Sequence, residues 1–273
     1  MSTVSSPAID STVTLSKGAP FVHTIRDTWL IYRRSLRLTL RQPVWVAMGI
    51  MQPILYLILF GPLLNGAVGA TGQGGSAYNW FIPGLLVQTA MFAAAFAGFG
   101  LVAELRYGVV ERMRVTPMSR FAMLAGRSLR DVTIMLAQAI VMIVIAIPFG
   151  LELVPGGALL TLGVLALVAL AFSLLSYTIA LIVKSEDALA PIVQGVALPL
   201  LLLSGILLPM ELAPDWLQTL SNLNPLTHAV DAARALFNGL WDDPQIVVGV
   251  TVMTVMTVAS LWLASRAFSR ANA

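Results

Sequence analysis

The chain has 273 residues, of which 58% are hydrophobic and 11% charged, with a net charge of +3 and a mean hydropathy of +0.86. A soluble domain carries about 25% charged residues, so a water-soluble globular chain is excluded, and the lack of cysteine excludes disulfides, zinc-thiolate sites and a thiol nucleophile. The excess of basic residues does not mark a nucleic-acid partner, because their placement follows a membrane topology.

Residues 1–21 are Ser/Thr-rich with one basic residue, Lys17, and no apolar core or cleavage site follows a basic start. They read as a disordered cytoplasmic tail rather than a signal peptide. Residues 22–42 predict an amphipathic helix along the inner membrane surface. Ile25, Trp29, Tyr32, Leu36 and Leu40 form a stripe, and Arg26, Arg33, Arg37 and Arg41 line its flank. Such a helix sets its stripe at the headgroup boundary and offers its arginines to anionic membrane lipid. Leu30, Ile31 and Leu38 fall off the stripe and could pack on the protein. A plain basic anchor is the alternative.

Residues 43–265 hold six segments of the length and apolarity a membrane span needs: 44–64, 81–103, 132–151, 159–183, 189–208 and 245–264. Of the sixteen Lys and Arg, fifteen fall in the first stretch, the loop between spans two and three, the turn after span four, or the tail 266–273. Only Arg234 lies on the other side, with Glu152, Glu211, Asp215, Asp231, Asp242 and Asp243. Basic loops stay inside, so both termini are expected in the cytoplasm and the chain in the cell (inner) membrane. Trp45, Tyr78, Trp80, Trp241 and Trp262 sit near span ends, where amphipathic rings favour the headgroup layer. Residues 65–78 contain five glycines but no Gly-Lys-Ser/Thr ending, and read as a flexible outer connector.

Within span two, Phe92, Phe96 and Phe99 share one face, and Gln88, Gln138 and Gln194 are polar groups inside spans. An aromatic face suits a flat amphipathic molecule, and helix packing uses the same pattern. Buried glutamines more often join helices than bind ligands. Gln88, Phe92, Phe96, Phe99 and Gln194 are therefore the candidate lining of a path. After span two, the loop 104–120 alternates in charge through Glu104, Arg106, Glu111, Arg112 and Arg114, with Val109, Val110, Met113 and Val115 opposite. A short charged helix ending before Pro117, tied to two spans, suits transfer of force from a soluble partner. A solvated loop that merely keeps positive charge inside is the competing reading. Asp131, Glu186 and Asp187 are expected at solvated or paired span ends.

The segment 209–244 is too polar for a span and too apolar for an ordinary loop. Pro214 and Asp215 start a helix with Trp216, Leu217 and Leu220 on one face, Asn224-Pro225 breaks it, and a second helix covers about 226–240. Both pieces are shorter than a span and are expected to form an outer re-entrant segment that includes Pro209, Trp216, Asn224, Pro225 and Arg234. The fold class is thus all-α integral membrane, with six spans, an N-terminal amphipathic helix and a re-entrant outer segment. No hydrolase, metalloprotease or Walker motif occurs, and His23 and His228 lie on opposite sides of the membrane by this topology. An enzyme is not expected.

Several motifs in order carry a resemblance to a known family: Arg106, Gly108, Glu111, Arg112, Arg114, Thr116-Pro117, Ser119-Arg120 and Gly126-Arg127, then residues 204–209, 214–217, Asn224–Thr227 and Ala233-Arg234. They resemble the ABC type-2 permeases, particularly actinobacterial drug-resistance exporters of the daunorubicin kind. The resemblance implies that residues 104–116 contain the coupling helix, with Glu104, Arg106, Gly108, Glu111, Arg112, Met113 and Arg114 facing a separate ATPase subunit. It also implies a second permease copy, the same or a different chain, and a path lined by spans two and five. The chain itself would bind no cofactor, with ATP and magnesium held by the ATPase. The expected cargo is an amphipathic drug or lipid-like compound. Export of a lipid-linked glycan or envelope precursor is the alternative, and an ATP-independent channel or carrier ranks behind both.

Overall fold

A computed structural model of the chain describes residues 20–41, 43–71, 77–108, 120–207 and 210–270. Among these there is no strand, and the elements are helices. In chain order they are α1 (Pro20–Leu40), α2 (Pro43–Thr71), α3 (Ala77–Ala95), α4 (Ala97–Arg106), α5 (Arg120–Ala146), α6 (Pro155–Val183), α7 (Glu186–Leu203), α8 (Asp215–Leu223), α9 (Pro225–Phe237) and α10 (Pro244–Arg270). Among the described residues, five stretches are long and apolar enough to cross a membrane: α3 with α4, α5, α6, α7 and α10. The sixth expected span corresponds to α2, helical for 29 residues and apolar over Ala47–Phe60. A helix of that length rises about 43 Å, more than the roughly 30 Å hydrocarbon core.

The hub of the bundle is α6, which contacts α3, α4, α5, α7, α9 and α10. Its sequence explains this position. Ala169, Ala171, Ser173, Ser176 and Ala180 are all buried, and small side chains let neighbouring backbones approach where no hydrophobic drive exists between helices in lipid. The peripheral helices instead expose large apolar residues: Met48, Met51, Leu55 and Leu59 on α2, Ile140 and Val144 on α5, and Val247, Val255 and Val258 on α10. Apolar patches on this scale are foreign to soluble monomers.

Helix α1 corresponds to the expected amphipathic helix and docks on α5. Ile31 is buried, and a β-carbon at Gly126 would lie 2.8 Å from the Thr28 carbonyl oxygen. Only glycine permits that crossing. Of the residues off the stripe, Ile31 packs on the protein while Leu30 and Leu38 stay half exposed.

Several helix boundaries differ from expectation, and α2 already runs to Thr71, seven residues into the expected flexible connector. Span three begins near Arg120 rather than 132, taking Arg127, Arg130 and Asp131 into α5. Span five ends at Leu203, five residues short of the expected limit. The last helix continues to Arg270, through most of the expected tail. Residues 1–19, the connector core 72–76 and 271–273 lie outside the described residues.

Candidate functional site

Charged and polar side chains gather where α1, α4, α5, α6 and α7 meet, at the arginine-rich end of the bundle. Glu104, in the last turn of α4, pairs with Arg127 of α5. The Arg127 side chain is only 5% exposed and that of Glu104 32%. One turn further along α5, Arg130 lies 2.8 Å from the adjoining Asp131 and reaches Thr39 of α1 at 3.1 Å. Tyr177 of α6 donates its hydroxyl hydrogen to Asp131, and Arg130 donates to the Tyr177 oxygen at 3.3 Å. A carboxylate placed among apolar helices must be paired and hydrogen-bonded to remain there. Asp131 meets both conditions: it is largely buried and paired with Arg130, the paired one of the two states expected for it.

Arg106 extends outward, 65% exposed and 4.0 Å from Glu186 at the start of α7. Gly108 ends the turn after α4 with a left-handed backbone (φ 65°) and its amide on the Leu105 carbonyl. Glu111, Arg112, Met113 and Arg114 lie outside the described residues. The stem of the expected coupling segment is therefore a helix end tied by ion pairs to both α5 and α7.

Span two is interrupted in its lower half. Helix α3 stops at Ala95 and α4 restarts at Ala97, with Phe96 at the break. Ser176 of α6 serves both sides: its hydroxyl donates to the Ala95 carbonyl and accepts from the Gly98 amide at 2.9 Å. A broken backbone at membrane depth needs such replacement partners. A β-carbon at Gly98 would sit 2.6 Å from the Ser176 hydroxyl and 2.7 Å from its carbonyl oxygen, so the contact admits no side chain. Phe92, Phe96 and Phe99 line this break, with ring centroids 6.3 Å and 5.6 Å apart along the series. Phe96 is exposed while Phe92 and Phe99 are half-buried. Gln88, one turn before Phe92, is buried with its Oε1 lacking a hydrogen-bond partner among the described residues. Gln194 is exposed on α7. The three rings thus form one surface, while Gln88 stands inside the protein behind them.

At the opposite end, α8 and α9 pack against the C-terminal end of α7. The last four carbonyls of a helix have no partner within it. Here Asn224 donates to Leu200 O at 2.8 Å, Ser221 and Thr227 to Leu203 O at 2.7 and 3.2 Å, and Arg234 to Gly205 O at 2.8 Å. These partners come from α8, α9 and the Asn224 between them, so α7 stops where side chains are available to meet it. Asn224 also caps α9 through the Leu226 amide at 3.0 Å, with Pro225 as the first helical residue. Arg234 additionally donates to Trp80 O at 3.2 Å, and its guanidinium stands 4.0 Å from the Trp80 ring centroid. Trp80 is thus engaged by α9 as well as lying near a span end, and Tyr78 is buried beside Phe149 rather than in a headgroup position. Trp216 is exposed on α8, and Pro209 lies outside the described residues.

Asp131, Tyr177 and Ser176 carried no signal as site residues, since a tyrosine or serine inside an apolar span has no pattern of its own. Arg127 stood out only within the Gly126-Arg127 pair. Among the described residues, no group of three or more His, Asp or Glu could hold a metal.

A family profile described as ABC-2 type transporter matches residues 26–238. The chain is similar to a putative transport permease of Cyanophora paradoxa, with 29% identity over 78% of this chain and 75% of that protein. It is similar to a daunorubicin resistance ABC transporter permease protein of Streptomyces coeruleorubidus, with 29% identity over 73% of this chain and 72% of that one. An inner membrane transport permease of Escherichia coli strain K12 is 28% identical over 75% of this chain and 79% of its own length.

Proposed function

This chain belongs to the ABC-2 type transporter family and is a multi-pass membrane transport permease, and from that premise we propose that it exports amphipathic drugs or lipid-like compounds, driven by ATP hydrolysis on a separate subunit. Permeases of this family generally work with an ATPase partner. The observation that carries the reading is the anchoring of Glu104 and Arg106. A partner pressing on residues 104–116 moves the end of α4, and ion pairs pass that displacement to α5 through Arg127 and to α7 through Glu186. The Ser176-bridged break directly above gives span two a place to bend. Two arrangements of such a linkage, biased by nucleotide on the partner, constitute an alternating transporter.

Glu111, Arg112, Met113 and Arg114 complete the docking segment in this reading. A second copy of the chain, or a related one, faces α7, and the exposed surface of that helix supports the assignment. It bears Gln194 and Gly195, and Pro199 removes the amide that would ordinarily close on the Gly195 carbonyl. Polar groups of this kind are costly against lipid and suit a partner or a watered path. The aromatic surface of Phe92, Phe96 and Phe99 then meets the cargo, with Gln88 reached on opening. Residues 209–244, from Pro209 through Arg234, close the outer end. Both termini and residues 104–120 face the cytoplasm, and ATP and magnesium are held by the ATPase. Amphipathic cargo is favoured by the aromatic surface and by the similarity to a daunorubicin resistance permease.

The test is co-expression with an ATPase subunit and reconstitution into proteoliposomes. Charge reversal at Glu111 and Arg112 is expected to abolish ATP-dependent export and to weaken co-purification. Undiminished binding and transport, or labelling of residues 104–108 from outside the cell, would refute the assignment.

A further inference from the structure

The exposed side of α1 carries two separate strips. One holds Ile25, Trp29 and Leu40; the other forms a groove of about 330 Å³ lined by Leu30, Arg33, Arg34, Arg37, Leu38 and Arg41. Arg33, Arg37 and Arg41 follow one another at four-residue steps, and among the described residues none of the three pairs with a carboxylate. Like charges stacked at this spacing oppose the helix. An anion bridging them removes that opposition, and the guanidinium fork matches two phosphate oxygens at once.

The groove's height narrows the anion's identity. Only residues 41 and 42 separate α1 from α2, and α2 exposes Val44, Met48 and Met51 from its first turns. Arg41 therefore stands at the level where the chain enters hydrocarbon, the level of lipid phosphates. Trp29 and Leu40 on the neighbouring strip seat α1 at that same boundary, and Leu30 and Leu38 within the groove meet the apolar part of a lipid. We propose that this groove is a binding site for an anionic phospholipid, its headgroup phosphate held by Arg33, Arg37 and Arg41. The site does not depend on what the permease carries. Its rigid mount does bear on coupling, because the opposite face of α1 packs on Gly126, next to Arg127.

The experiment uses the full chain in nanodiscs of phosphatidylcholine with a minority of phosphatidylglycerol, followed by extraction and quantification of the lipid retained. Wild type is expected to retain phosphatidylglycerol in excess of its share of the nanodisc. Each groove arginine neutralised is expected to lower that affinity about fivefold. Arg33→Gln/Arg37→Gln should thus abolish the enrichment, while Arg26→Gln, exposed on the same helix outside the groove, should keep it. Arg33→Lys/Arg37→Lys retains the charge and reports on folding. If the double neutralised variant does not fold, the single Arg37→Gln is read against Arg26→Gln in the same way. Equal losses in all neutralised variants would mean diffuse attraction and overturn the site. So would unchanged enrichment, as would inorganic phosphate binding equally well in detergent without lipid. Loss of ATPase co-purification with lipid retention intact would also overturn it, giving the groove to a protein.

Discussion

The pair Glu104–Arg127 supports a quantitative test, because its partners are unequally buried. Replacing Glu104 by Leu strands a guanidinium that is 5% exposed and whose Nη1 already lacks a partner among the described residues. An uncompensated buried charge costs about 3–5 kcal/mol. Replacing Arg127 by Met keeps most of the stem's packing and strands a carboxylate 32% exposed, which water can reach; screening there holds the loss to about 1–2 kcal/mol. The Glu104 variant should therefore be the less stable by about 2 kcal/mol, and the double variant should recover most of its loss. The assay is reversible unfolding of the full chain in mixed micelles by SDS titration, followed through its six tryptophans. An Arg127→Met penalty equal to or above that of Glu104→Leu would refute the burial argument. In reconstituted complexes Arg127→Met should keep the ATPase bound while losing transport, since the linkage fails and the side chains of residues 104–116 remain in place.

Gly98→Ala should destabilise by about 1–3 kcal/mol through overpacking, and Ser176→Ala should not rescue it, because the Ser176 carbonyl stays 2.7 Å from the new methyl; thermal unfolding of the single and double variants decides this. Arg234→Met should cost about 3 kcal/mol, since it uncovers the Gly205 and Trp80 carbonyls and ends the contact with the Trp80 ring. Protease sensitivity at the acidic end of the bundle should rise with it, and an unchanged digestion pattern would contradict the capping role. Asn224→Ala should lower stability by about 1–2 kcal/mol by losing the α9 cap and the Leu200 partner together, with amide exchange accelerating in both α7 and α9.

The membrane class, the spans and the amphipathic first helix were legible in the sequence because each rests on a local quantity, apolar length or helical period. The segregation of fifteen basic residues was legible for a related reason, since the cost of moving a cation through lipid is paid residue by residue. The two short helices α8 and α9 showed as a stretch of intermediate polarity broken at Asn224-Pro225. What tertiary structure decided is where polar atoms find partners. Nothing local says that Ser176 serves a break eighty residues away, that Arg127 is buried against Glu104, or that α7 stops at Leu203 because Ser221, Asn224 and Thr227 meet its carbonyls. In a medium without water, each such group must be met by a side chain brought from elsewhere in the fold, and that meeting exists only once the helices have packed.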